Sequence, residues 1–267
     1  MWEMPVWVIL RTRTMSAYII AVTNQKGGVG KTTTTINVAA GLVNRGARVL
    51  IVDLDPQGNA SSGLGVSKDD NSLTTYDVLC KNQPIDQSWR QTHIENLWIL
   101  PANAHLAAAE IDLAQLSGRE FRLQQLIKDA DFDYILIDCP PSLGLLTVNA
   151  LTAATAVLIP VQAEYYALEG LSQLLNTVQA VRGATNPGLE LLGIAITMFD
   201  KRNSLSEQVQ KELQGYFGDK LFKTEVPRNV RLAEAPSYGR TIYDHDRWSK
   251  GARAYKSLVN EILDRTT

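Results

Sequence analysis

Near the start of the chain, Lys26-Gly27-Gly28-Val29-Gly30-Lys31-Thr32-Thr33 combines glycines, two lysines and a run of hydroxyls. That mixture suits a polyphosphate. Glycines let backbone N–H groups turn inward around a β-phosphate, Lys31 reaches the β/γ oxygens, and Thr32 offers its hydroxyl to Mg²⁺. The plain phosphate-loop pattern GxxxxGK[ST] asks for glycine at position 25; this chain has Gln25 there and brings in a second lysine, Lys26.

Two further stretches carry acids in positions that fit the same chemistry. Val52-Asp53-Leu54-Asp55-Pro56-Gln57-Gly58-Asn59 follows an apolar run, and strand alternation puts Asp53 and Asp55 on one side. Beside a triphosphate, one such carboxylate supports a Mg²⁺ shell while the other orients or activates water; an ordinary solvated Asp-Pro turn is the alternative. Ile135-Leu136-Ile137-Asp138-Cys139-Pro140-Pro141-Ser142 delivers one acid, Asp138, from an apolar run, the form of a carboxylate that acts on Mg²⁺ through water. Its alternative is a plain strand-end turn.

These segments need strands to hold them. Tyr18 to Thr23, Arg48 to Val52, Asn96 to Leu100, Tyr134 to Ile137, Val157 to Val161 and Leu191 to Thr197 are near-continuous apolar runs, as strands buried on both faces require. Helical spacing appears between them at Thr32 to Val43, Ala104 to Leu116, Glu120 to Lys128, Leu145 to Ala153, Leu168 to Val181 and Leu205 to Tyr216. The alternation predicts an α/β, doubly wound, mostly parallel sheet flanked by helices, with right-handed crossovers. Near the end, Tyr255, Leu258, Val259, Ile262 and Leu263 form the single stripe of a helix docked on a sheet.

Composition narrows the classes. A 45% hydrophobic, 20% charged chain is globular, and a net charge of −2 excludes binding nucleic acid by bulk charge. The charge is uneven, because residues 201–267 hold 13 of the 26 basic residues and only 9 of the 28 acids. No apolar run approaches the roughly 20 residues that span a bilayer. Cys80 and Cys139 lack disulfide or zinc spacing; Cys139 reads as a small buried residue, with a reactive thiol as the alternative. Residues 1–14 place Arg11 and Arg13 after their apolar stretch, the reverse of a secretory signal, and Met15 follows. They are expected to be an upstream-start extension with little structure, leaving 15–267 as one domain.

The loop with both Lys26 and Lys31 resembles the deviant Walker A motif of the ParA/MinD family of P-loop ATPases. The stretches Asp53 to Asn59 and Asp138 to Pro141 resemble that family's other signatures. Val161 to Gly170, which includes the tyrosine pair Tyr165-Tyr166, and Val226 to Pro236 bring the resemblance closest to the chromosomal ParA/Soj branch. It runs from Tyr18 to nearly the end of the chain.

The resemblance implies ATP and Mg²⁺ as ligands, and the absence of an [NT]KxD motif agrees with ATP over GTP. It implies a nucleotide contact set of residues 26–33 with Pro227, Arg228 and Asn229 beside the adenine. It assigns Asp55 to hydrolysis and Asp53 nearer to the metal or phosphate. Lys26 would reach the phosphates of a partner subunit, making an ATP-dependent homodimer with Gly27 at the close approach of two loops. The dimer's expected partners are double-stranded DNA, bound without sequence preference, and a ParB-like protein that stimulates slow hydrolysis. Arg202 and Arg231 match DNA-contacting positions, with Lys201 and Lys223 as weaker additions. The competing readings are a MinD-like membrane ATPase, whose basic amphipathic tail is missing here, a nitrogenase-type iron protein, and a ParA-like positioner of another cargo.

Overall fold

The computed structural model describes residues 16–68, 72–164 and 167–266; the expected extension at 1–14 and the pair Tyr165-Tyr166 lie outside them. The chain begins with β1 (Tyr18–Val22), α1 (Lys31–Val43), β2 (Val49–Asp53), α2 (Asn59–Gly63), α3 (Thr75–Lys81), β3 (Arg90–Gln91) and β4 (Leu97–Leu100). It continues through α4 (Ala109–Ala114), α5 (Arg122–Ile127), β5 (Tyr134–Asp138), α6 (Leu145–Ala153), β6 (Ala156–Gln162) and α7 (Ala167–Ala184). The last part holds β7 (Glu190–Phe199), α8 (Ser204–Phe217), β8 (Leu221–Pro227), α9 (Val230–Glu234), α10 (Ile242–Asp246) and α11 (Lys250–Thr266).

The strands form one eight-stranded sheet in the order β3-β4-β2-β5-β1-β6-β7-β8, parallel except where β3 meets β4. The doubly wound α/β expectation therefore holds. Alternate side chains of each strand feed two cores. On β2, Leu50 and Val52 face the core built by α3 to α8, while Val49 and Ile51 face the core built by α1, α2 and the C-terminal helices. Tyr255, Leu258, Val259 and Ile262 of α11 are buried in that second core, so this apolar stripe is spent on the sheet. Among the described residues no helix is long and apolar enough to cross a membrane.

Register sets the site. In the centre of the sheet, Val22 of β1 and Asp53 of β2 both pair with Asp138 of β5, so three strands end level. Strand order reverses at β1, the point where open parallel sheets hold ligands at their C-terminal edge.

Some expectations need correction. The helix expected over 104–116 is a 3₁₀ turn at Ala104–Ala108 followed by the short α4, and Glu120 to Lys128 likewise opens with a 3₁₀ turn before α5. The strand β8 was not expected, because Leu-Phe-Lys-Thr-Glu-Val-Pro mixes charge into an edge strand that is half wet.

Candidate active site

The loop between β1 and α1 is fixed from several sides. Asn24 donates its side-chain amide to the Pro160 carbonyl (2.8 Å) and accepts the Lys26 N–H (3.0 Å). Gly28 (φ 75°) and Gly30 (φ 84°) adopt left-handed backbone that L side chains rarely enter. The Val29 carbonyl accepts the Thr197 hydroxyl from β7 (2.8 Å), tying the loop to the neighbouring half of the sheet.

The two loop lysines point to different partners. Lys31, buried at the start of α1, donates its ammonium to the Lys26 carbonyl (3.1 Å) and so folds over the loop itself. Burial lowers its pKa, and the charges of Asp138, Cys139 and Asp55 oppose that shift. The Lys26 ammonium instead pairs with Glu164, on the connection between β6 and α7.

The acids divide by environment. Asp138 is wholly buried and accepts the Thr32 hydroxyl (2.7 Å) on one oxygen and the Thr35 hydroxyl (3.0 Å) on the other. Burial, then the charge of Asp53, pushes its carboxyl up to about 8. The Thr32 hydroxyl and Asp138 carboxylate form a hard-oxygen pair at the first turn of the phosphate-loop helix, a donor set suited to Mg²⁺.

Asp55 accepts the Gln57 N–H (2.9 Å) on one oxygen; the other has no protein partner among the described residues. The turn that presents it requires Gly58: φ is 58°, and a Cβ there would lie 2.5 Å from the Ala102 carbonyl.

Asp53, expected in the metal shell, pairs in register with Asp138 and has both oxygens engaged by the chain. One oxygen accepts the Asp55 N–H (3.1 Å), the other the Ser61 N–H (2.9 Å) and hydroxyl (2.7 Å), and none of the residue is exposed. It anchors the loop carrying Asp55. Nor does pleat alternation relate the two acids, because β2 ends at Asp53 and a turn delivers Asp55.

Beside the loop lies a cavity of about 280 Å³ whose walls include Gly30, Thr33, Pro227, Arg228 and Asn229, bringing the expected adenine segment to the phosphate loop. The Asn229 side chain also caps α9, accepting the N–H groups of Arg231 (2.9 Å) and Leu232 (3.4 Å). Outside the stretch from Val226 to Pro236, three wall residues were not read from the sequence as part of this site: Thr197, Met198 and Tyr255. Met198 has φ 51°, rare for a non-glycine residue, and the Tyr255 hydroxyl sits 3.1 Å from that of Thr34.

The four cations matched to DNA contacts are not equivalent. Arg202, in the turn after β7, is bidentate to Asp200 (3.0 and 2.9 Å). Arg231, on α9 after β8, meets Glu234 (2.9 Å) and Asp246 (3.7 Å), while Lys201 meets Glu225 (3.6 Å). Since β7 and β8 are parallel neighbours, Arg202 and Arg231 share the sheet edge that holds the phosphate loop. Lys223 lies within β8, four residues and about 13 Å short of Pro227 at that edge.

Neither cysteine has a lowered pKa. Burial pushes the Cys80 thiol up to about 11, and Cys139 is buried with its thiol raised further still.

A phosphate loop at a topological switch point, with strand-end acids level beside it, defines a P-loop nucleotide hydrolase. Residues 17–191 match a family model described as an AAA domain. The chain is 51% identical to the Myxococcus xanthus chromosome partitioning protein ParA, covering 93% of this chain and 89% of that one. It is 53% identical to the Bacillus subtilis sporulation initiation inhibitor protein Soj, covering 91% and 97%. The chain belongs to the ParA/Soj family of chromosome-partitioning ATPases. A Mycobacterium smegmatis cobyrinic acid a,c-diamide synthase with bound ATP analog and magnesium superposes with TM-score 0.82 at 38% identity, covering 94% of this chain and 96% of that one. A Borrelia burgdorferi putative plasmid partition protein bound to AMPPNP gives TM-score 0.80 at 25% identity, covering 94% and 100%.

Proposed function

We propose that this ATPase is a nucleotide-dependent switch that carries DNA during chromosome partitioning: two copies close around ATP, the closed dimer holds duplex DNA, and hydrolysis releases it. The observation that carries the reading is the division of labour within one loop. Lys31 covers its own phosphate cradle while Lys26 is held off it in a partly exposed pair with Glu164, from which a second copy's phosphates draw it. The identities near 50% to partitioning proteins, against 38% to the synthase, support this reading over amide synthesis.

In this reading the backbone N–H groups of residues 27–31 and the Lys31 ammonium hold the β- and γ-phosphates, and the cavity at Pro227, Arg228 and Asn229 takes the base. Thr32 and Asp138 would hold Mg²⁺, which would neutralise negative charge on the phosphates during transfer. Asp55 turns its unpartnered oxygen to the attacking water and accepts its proton, while Asp53 and Ser61 keep the Asp55 loop in place. Lys26 leaves Glu164 for the partner's phosphates, so the dimer lasts as long as the triphosphate.

Arg202 and Arg231 supply phosphate contacts to DNA, which fix affinity without reading sequence. A ParB-like protein accelerates hydrolysis, and DNA retention puts the ATP form on the nucleoid. The test is a pair of variants: Lys31→Ala loses nucleotide binding, whereas Lys26→Ala keeps ATP binding and stays monomeric. Normal ATP-dependent dimerisation of Lys26→Ala overturns the reading.

A further inference from the structure

Of the six large hydrophobic side chains that stand exposed among the described residues, three crowd into residues 230–248: Val230 (70% exposed), Tyr238 (66%) and Trp248 (80%). Tyr238 and Trp248 flank one connected set of contacts. Tyr238 stacks on His245 (centroids 5.2 Å apart, planes at 26°), His245 approaches Glu234 (3.5 Å), and Glu234 holds Arg231, which also reaches Asp246 (3.7 Å). The next residues are Arg247, whose guanidinium lies 5.6 Å from the Trp248 ring centroid, and Trp248 itself.

The direction of α11 places this surface. Its end packs near the starts of β7 and β8, where Arg265 donates to the Leu192 carbonyl (2.7 Å). At its other end, Gly251 lies against Leu232, and Tyr255 lines the nucleotide cavity. Trp248, just before α11, is therefore at the ligand edge of the sheet, on the same side as Arg231.

Charge selects the occupant. Residues 228–256 carry seven basic residues against three acidic ones, in a chain whose net charge is −2. An exposed indole beside Arg247, without a buried function, suits a polyanion that also offers apolar surface. Duplex DNA provides both, through its phosphates and its sugar edges.

We infer that Trp248 and Arg247 form an aromatic–cationic anchor for duplex DNA, laid against the backbone and groove edge beside Arg231. The inference rests on the DNA reading above and adds an element to it. Phosphate contacts alone weaken steeply with salt, whereas burial of the Trp248 ring supplies affinity that salt does not screen. The anchor also joins the nucleotide cavity through α9, since Leu232 and Ala233 line that cavity while Val230 and Arg231 face out.

The test is DNA affinity of the ATP-bound full chain by fluorescence anisotropy, using a duplex of arbitrary sequence, from about 50 to about 200 mM salt. Trp248→Ala should bind about tenfold more weakly at every salt concentration with the slope of log K unchanged, and Trp248→Phe should keep most of the affinity. Arg247→Ala should instead flatten the slope by about 0.9. DNA should quench a tryptophan emission that Trp248→Phe lacks. Melting and ATP-dependent light scattering of each variant should match the unmodified chain, since Trp248 is outside the core.

If Trp248→Ala binds DNA like the unmodified chain while the Arg202→Ala/Arg231→Ala variant loses binding, this inference fails alone. If the unmodified chain binds no duplex at all, the DNA reading fails and takes the anchor with it. If Trp248→Ala keeps DNA but loses ATP-dependent pelleting with anionic vesicles, the surface is a lipid contact and the inference is overturned.

Discussion

The Lys26 ammonium is paired with the Glu164 carboxylate of its own chain, across 138 residues of sequence, with both side chains partly exposed. In the proposed switch this pair competes with the dimer, because the lysine must leave it to reach a partner's phosphates. A partly exposed ion pair contributes at most about 1 kcal/mol.

Glu164→Gln should therefore shift dimerisation toward lower ATP concentration, by up to about fivefold, without changing nucleotide affinity of the monomer. Light scattering across an ATP titration measures this. A variant that no longer dimerises would mean that Glu164 belongs to the interface instead of holding Lys26 back.

Glycines of the loop should separate two functions. A Cβ at Gly27 meets nothing within 4 Å inside one chain, so Gly27→Val should leave folding and nucleotide binding intact and block only the approach of a second loop. Gly30 has φ 84°, so Gly30→Ala strains the loop by about 1–2 kcal/mol and should weaken nucleotide binding itself. Calorimetric titration with ADP distinguishes them; equal losses in both variants would contradict the assignment.

Asp138 makes the site sensitive to pH. Its carboxyl is raised to about 8 from an ordinary 3.8, chiefly by burial, and Asp53 is raised in the same direction for the same reason. Between those limits the folded chain binds more protons than the unfolded one, so stability falls as pH rises through the window. Without nucleotide, this contribution should lower the melting temperature as pH rises from about 4 to about 8, and Asp138→Asn should flatten that dependence. The same substitution should abolish the extra stabilisation that Mg²⁺ gives in the presence of ADP. Identical pH profiles in the two proteins would contradict the raised carboxyl.

Arg202 is held by its neighbour. Asp200 takes both of its nitrogens and is itself kept near 2 by that contact, so Asp200→Asn should free a cation for DNA and strengthen retention a few-fold. Arg202→Ala with Arg231→Ala should remove ATP-dependent DNA retention while leaving ATP-dependent dimerisation. A gel shift and light scattering on the same samples check both; joint loss of the two activities would contradict the assignment.

Much of the site was legible because its chemistry is contiguous. Lys26 to Thr33 lie on one loop, and Asp138 closes an apolar run that could only be a buried strand. The α11 stripe was legible because five apolar residues kept a helical period. What stayed hidden depends on tertiary contacts or on backbone. Glu164 meets Lys26 only through the order of β1 and β6, and Ser61 finds Asp53 only once the turn after β2 closes. The left-handed Met198 carries no glycine to mark it. The edge strand β8 escaped because an edge needs no continuous apolar run, and the Trp248 surface escaped because its basic residues are interleaved with Asp244 and Asp246.

The central claim is that ATP joins two copies and that the joined form holds DNA. It is tested most directly by light scattering of the purified chain with Mg²⁺ and either no nucleotide, ADP or ATP, with Asp55→Ala to block hydrolysis, followed by a low-salt DNA shift on the same samples. The account predicts a dimer with ATP alone, and a shift of arbitrary duplex by that dimer alone, lost steeply as salt rises. A chain that stays monomeric with ATP, or a dimer that ignores DNA, would contradict it.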